Sequence, residues 1–105
     1  METRDSAPLF AALGDETRLR LVARLSSDGP MSIAKLTAGS NLTRQAITKH
    51  LRVMGEAGLV HDARRGRESI WQLDQRCVVR ARRYLDQISR RWDVALGRLR
   101  ALVED

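Results

Sequence analysis

The sequence predicts one mainly α-helical domain with a small β-hairpin, and two patterns carry most of that prediction. Apolar residues recur at spacings of three and four through most of the 105 residues, the mark of helices with one buried face. Between Leu59 and Leu73 that period gives way to two short runs around Gly66-Arg67, the spacing of a tight hairpin. A length of 105 residues supports one hydrophobic core but not two, so 1–105 reads as a single domain.

Ser6 before Ala7-Pro8 offers a capping hydroxyl and a first-turn proline for a helix that carries Leu9, Phe10 and Leu13 on one side and ends near Gly14. Asp15 caps a second helix to about Ser27, with Leu19, Val22 and Leu25 expected inward and Arg18, Arg20 and Arg24 outward. Asp28-Gly29-Pro30 stops it. Ser32 caps a short helix to about Ser40, with Ile33 and Leu36 inward; Asn41 is expected to make the following turn in the left-handed conformation, anchored by Leu42. Thr43 caps a helix from Arg44 to about Ala57, ended by Gly58, with Ile47, Leu51 and Met54 on its apolar side.

The hairpin strands are Leu59 to Arg65 and Glu68 to Leu73. Asp74 then caps a final helix, about Arg76 to Val103, whose Val78, Ala81, Leu85, Ile88, Trp92, Ala95, Leu99 and Leu102 alternate in steps of three and four. A domain of this size cannot cover so long a seam with its own core. A second copy is the natural cover, with Leu9, Phe10 and Leu13 of the first helix and Leu85, Ile88, Trp92, Leu96 and Leu99 of the last as the expected dimer interface.

The formal net charge of +6 is concentrated in two places. Thr43–Arg67 holds six Lys or Arg against Glu56 and Asp62; Arg76–Arg100 holds eight Arg against Asp86 and Asp93. Such clustering suits a polyanion. The short helix, tight turn and second helix form a helix-turn-helix, and the basic hairpin after it forms a wing. The major groove of B-DNA admits one α-helix, whose early turns reach base edges. Double-stranded DNA is therefore the expected partner, contacted by Thr43, Arg44, Gln45, Thr48, Lys49, His50 and Arg52. Gln45 suits adenine, Arg44 suits guanine, and Thr48 suits a thymine methyl or a phosphate; Lys49, His50 and Arg52 lie further round, where they position the helix. Arg64, Arg65 and Arg67 crowd the wing tip, where their mutual repulsion calls for an external counter-charge.

Four stretches resemble the ArsR/SmtB family: Leu13-Gly14-Asp15-Glu16-Thr17-Arg18, the run Leu42 to Leu51, Glu56-Ala57-Gly58-Leu59-Val60, and Gly66-Arg67. The resemblance covers nearly the whole chain. It implies a winged helix-turn-helix in the order α-α-β-α-α-β-β-α, a homodimer joined through its first and last helices, and repression by occupying operators. Many members release DNA when metal binds, and here the sequence departs from the family. Ser32-Ile33-Ala34 stands where arsenic and cadmium sensors carry Cys-x-Cys, and no His follows Asp74 where zinc sensors place ligands. Cys77, His50 and His61 are the only soft ligands, too few for a convergent site, so neither metal nor cofactor is expected. Arg76 and Arg80 only suggest activation of Cys77 as a redox switch.

Two other readings use the same scaffold: a protein-interaction module with a basic last helix, and a non-specific architectural DNA-binding protein. No paired carboxylates, Cys-His or Ser-His spacing or Gly-rich phosphate loop points to an enzyme. The lone cysteine and the lack of a leader-like or membrane-length apolar run lead to an expectation of a cytoplasmic, bacterial protein at the nucleoid.

Overall fold

The computed structural model describes residues 3–104; Met1, Glu2 and Asp105, included in the single-domain reading, lie outside them. The order is α1 (Thr3–Leu13), α2 (Glu16–Asp28), β1 (Met31–Ser32), α3 (Ile33–Ala38), α4 (Arg44–Glu56), β2 (Val60–Arg65), β3 (Glu68–Leu73) and α5 (Gln75–Glu104). The antiparallel sheet runs β1-β3-β2, with Met31 opposite Trp71 and β2–β3 in register from Val60↔Leu73 to Arg65↔Glu68. The fold class read from the sequence is the one observed.

The helix starts are chemically explicit. The Asp15 carboxylate accepts from the Arg18 N–H at 3.0 Å, the Ser32 hydroxyl from Lys35 at 3.2 Å and the Thr43 hydroxyl from Ala46 at 3.1 Å. Asp74 caps α5 by accepting from the N–H groups of Arg76 and Cys77 at 2.9 and 3.3 Å. Each cap satisfies an N–H that the helix cannot. Gly58, at φ +78, follows α4 in a conformation costly for any side chain.

Leu36, Ile47, Leu51 and Met54 show 0% exposure and form the centre of the core, which Leu21, Leu25, Met31, Leu59, Val60 and Cys77 complete. α5 joins this core only at its start, through Cys77 and the half-buried Ala81, and the Phe10 ring leans on Tyr84 with centroids 5.6 Å apart. Beyond Tyr84 every α5 residue to Glu104 is exposed except the half-buried Leu96. The protruding helix stretches the molecule to 67 × 25 × 22 Å.

Four expectations need correcting. Ser6 does not cap α1: the helix begins at Thr3 and runs through Pro8. Ser6, Leu9 and Ala12 form its buried face, and that burial outweighs the backbone hydrogen bond Pro8 forfeits. Leu9, at 1% exposure, is thus part of this chain's own core and offers no surface to a partner. On α2, Leu21 and Leu25 point inward and Leu19 stays 51% exposed. Arg18 and Arg24 lie on the inward flank because their guanidinium groups reach backbone carbonyls, Ala12 O at 2.6 Å and Leu36 O at 2.8 Å. Asn41 is not left-handed, since no described non-glycine residue has positive φ; the Ser40 hydroxyl makes the turn instead, accepting from Leu42 N–H at 3.0 Å.

Leu51→Ala should cost about 2–5 kcal/mol in urea denaturation, because the cavity opens at the centre of the core. The Asp15 carboxyl is held below its ordinary 3.8 chiefly by the Arg18 N–H. At Asp74 burial opposes the charge, but the N–H groups of Cys77 and Arg76 outweigh it and the value again falls below 3.8. Groups with depressed folded values stabilise above their unfolded values and lose that contribution as pH falls through the folded ones. Asp15→Ala should therefore melt below the wild type at pH 7, and the gap should narrow as pH falls below 3.8 and through the lowered folded value; a gap unchanged with pH would show that the carboxylate is not the cap.

Candidate nucleic-acid interface

The helix-turn-helix is held by one arginine that the sequence reading left in solvent. Arg24 donates to the carbonyl of Leu36 at 2.8 Å and, at 3.2 Å, to that of Lys35, which also accepts from the Gly39 N–H at 3.3 Å, tying α2 to the last turn of α3. Gly39 stands beside that guanidinium: a Cβ there would come within 2.6 Å of it. Leu42 packs against the core after the Ser40 turn, and α4 departs with its cap in place.

On α4 the inner face is Ile47, Leu51 and Met54, so the helix cannot roll without exposing them. Its outer face carries Thr43, Arg44, Gln45, Thr48, Lys49 and Arg52 around a shallow concavity of about 830 Å³. Thr48 donates its hydroxyl to the Arg44 carbonyl at 2.8 Å, leaving its methyl and lone pairs outward. His50, expected among the contacts, does not line this face. Its Nδ1 sits 3.4 Å from an Arg18 guanidinium nitrogen and 3.9 Å from the Asp15 carboxylate, so it packs α4 against the start of α2.

The wing turns at Gly66, whose φ of +63 with no positive φ at Arg67 is the pattern of a type II′ hairpin. Arg64, Arg65 and Arg67 are all exposed, and among the described residues none of them forms an ion pair. Arg64 and Arg65 are successive strand residues and point to opposite faces, so the tip is basic on both sides.

The expected seam is bare in the single chain: Leu85 is 52% exposed, Ile88 45%, Trp92 64% and Leu99 58%. Phe10 and Leu13 are half-buried beside it.

These features have close counterparts. A helix-turn-helix domain family, HTH_20, matches residues 13–63. The HTH-type transcriptional regulator Rv2034 of Mycobacterium tuberculosis is 34% identical over 95 residues, which are 90% of this chain and 85% of that protein. The arsenical resistance operon repressor of Escherichia coli is 28% identical over 97 residues, 92% of this chain and 80% of that one. An ArsR-like transcriptional regulator from Rhodococcus sp. RHA1 superposes with a TM-score of 0.84 at 32% identity, covering 96% of this chain and 92% of that one. The chain belongs to the ArsR family of winged helix-turn-helix transcriptional regulators.

Among the described residues of the single chain no three of His, Cys, Asp and Glu converge. His61 instead bridges the strands to α5, with Nε2 2.8 Å from the Gln72 amide nitrogen and Nδ1 3.5 Å from Asp74. Cys77 is buried and its thiol is pushed up chiefly by that burial, with Arg80 only partly offsetting it; the activation suggested by neighbouring arginines is not realised. No helix among the described residues is long and apolar enough to cross a membrane. The reading from sequence missed Arg24 and Arg18, for which the available signal was the short third helix, whose last carbonyls needed a donor from elsewhere.

Arg24→Met keeps the apolar stem and removes both hydrogen bonds, so it should cost about 1–3 kcal/mol in urea denaturation. Gly39→Ala should lose a comparable amount by displacing the same guanidinium, and the double variant should lose little more than either alone. Additive losses would show that the two residues act separately.

Proposed function

We propose that this ArsR-family chain is a repressor that occupies a pseudo-palindromic operator as a homodimer. The observation that carries the reading is the division of α4: one face has no exposed surface, and the other gathers Arg44, Gln45, Lys49 and Arg52 in solvent around the half-buried Thr48. Fixed burial aims those side chains, and the N-terminal turns are the ones that enter a major groove. Gln45 pairs with adenine and Arg44 with guanine, each able to make two hydrogen bonds to one base. Thr48, its proton engaged by the Arg44 carbonyl, offers its methyl to thymine. Lys49 and Arg52 hold phosphates, and Arg64, Arg65 and Arg67 take the adjacent backbone or minor groove.

The dimer follows from α5, whose exposed seam needs a partner in water. Phe10, Leu13, Leu85, Ile88, Trp92, Leu96 and Leu99 form the proposed contact, and two-fold symmetry then doubles the reading helix. Repression is supported by the Escherichia coli relative, an operon repressor. Such a protein acts in the cytoplasm on the chromosome.

Footprinting upstream of the protein's own gene should protect two half-sites separated by about one helical turn of DNA or a multiple of it. Even protection without sequence preference would sink the repressor reading and favour an architectural one. At the operator, Gln45→Ala should relax discrimination at one base pair in each half-site by about 1–3 kcal/mol, whereas each of Arg64→Ala, Arg65→Ala and Arg67→Ala should weaken all sequences alike and, removing one contact per protomer, lower the salt slope by about two. Trp92→Asp should give a monomer in sedimentation and lose operator binding, because a charge at the seam is buried unpaired in the dimer.

A further inference from the structure

α5 carries a third face that neither the core nor the proposed dimer contact includes. With 100° between successive helical residues, Arg76, Arg80, Arg83, Arg90, Arg91 and Arg98 fall within about 100° of arc, roughly opposite the apolar seam. The acids of the helix, Asp86, Asp93 and Glu104, lie in the sector between, with Arg82 and Arg100. No Asp or Glu interrupts the basic sector. All six arginines are exposed. Arg76 stands 3.6 Å from Asp74, but among the described residues Arg80, Arg83, Arg90, Arg91 and Arg98 form no ion pair.

The fold extends this stripe beyond one helix. Arg4 of α1 lines the same hollow of about 590 Å³ as Arg80 and Arg83, at the C-terminal end of α4 beside Ala57; among the described residues Glu56 is the one acid lining it. Gathering cations from separate elements is costly unless an anion is supplied. From Arg76 to Arg98 the stripe runs about 33 Å, close to one turn of B-DNA. It begins at the end of α4 that lies about 18 Å from Arg44 and leads away along the protruding part of α5.

We infer that this arginine face is a second, sequence-independent binding surface for the phosphate backbone of duplex DNA, so that a dimer on its operator can hold another duplex. Guanidinium groups match phosphate oxygens two at a time. An acidic protein partner fits the composition less well, because stable protein interfaces centre on buried aromatic or aliphatic anchors and this face has only Val79 and Val94. The inference rests on the operator-dimer reading for how the first duplex is held.

The test anchors a short biotinylated duplex carrying the footprinted site to beads, saturates it with full-length protein, and measures capture of a labelled 30-base-pair duplex lacking that site. Loading of the first duplex reports the operator reading separately, and failure there leaves capture by the basic face measurable on free protein. The wild type should capture the second duplex at low salt, steeply less as salt rises. The variant R83Q/R90Q/R91Q/R98Q should load normally and lose capture by about tenfold or more, since four phosphate contacts go. R82Q/R100Q, in the mixed sector, should capture within about twofold of wild type. If the fourfold variant loses helicity, Arg90→Gln and Arg98→Gln singly should each lower the salt slope of capture by about 0.9. Absence of wild-type capture, equal capture by the fourfold variant, or displacement of the second duplex by polyglutamate more readily than by unlabelled DNA of equal charge would overturn the inference; the last would assign the face to an acidic protein.

Discussion

The constraint on which the interface depends is the burial of Ile47, Leu51 and Met54. Three side chains with no exposed surface on one face of a 13-residue helix fix its rotation about its own axis, because rolling by even one residue would carry apolar groups into water and polar groups into the core. The direction of Arg44, Gln45 and Thr48 follows from that rotation, to which Thr48 adds only a hydrogen bond back to the Arg44 carbonyl. Around this helix the structure spends polar bonds on alignment: Arg24 on the end of α3, Ser40 on the turn, Arg18 and His50 on the contact between α2 and α4. A reading surface must leave its donors free for DNA, so the work of positioning falls to residues behind it.

α5 follows a different logic. Its start is locked by the Asp74 cap, the burial of Cys77 and the tilted contact of Phe10 with Tyr84; beyond Tyr84 it leaves the body of the protein. An isolated helix is marginal in water, and one presenting Leu85, Ile88, Trp92 and Leu99 together is an incomplete structure rather than a finished surface. Apolar, mixed and arginine-rich sectors are segregated along the same helix, so its apolar seam and its charged face look in different directions.

Much of this was legible in the sequence because it is periodic. The order of elements, all four caps of α2 to α5, the hairpin turn and the buried residues of α4 follow from spacings and capping chemistry that act locally. What was not legible depends on tertiary company. Leu19 and Leu21 both suit an amphipathic helix, and only the neighbours of Arg18 and Arg24 decide which face is inward. Pro8 reads as a first-turn residue until the burial of Ser6 and Leu9 is known. His50 sits beside Lys49 in sequence, but a step of 100° carries it off the outer face and against Asp15. Long polar side chains reach across elements, and no local pattern says where they land.

The link between the two halves of the molecule lies in that last contact. Asp15 caps α2, and the same carboxylate faces His50 on α4, while Arg18 touches both His50 and the Ala12 carbonyl at the end of α1. α1 in turn leans on α5 through Phe10 and Tyr84. A displacement of α5 therefore has a continuous path of bonded and packed groups to α4, through α1 and the start of α2. A ligand that shifts DNA affinity through this path does so only by as much as it distinguishes the two packings, since an equilibrium moves no further than that difference.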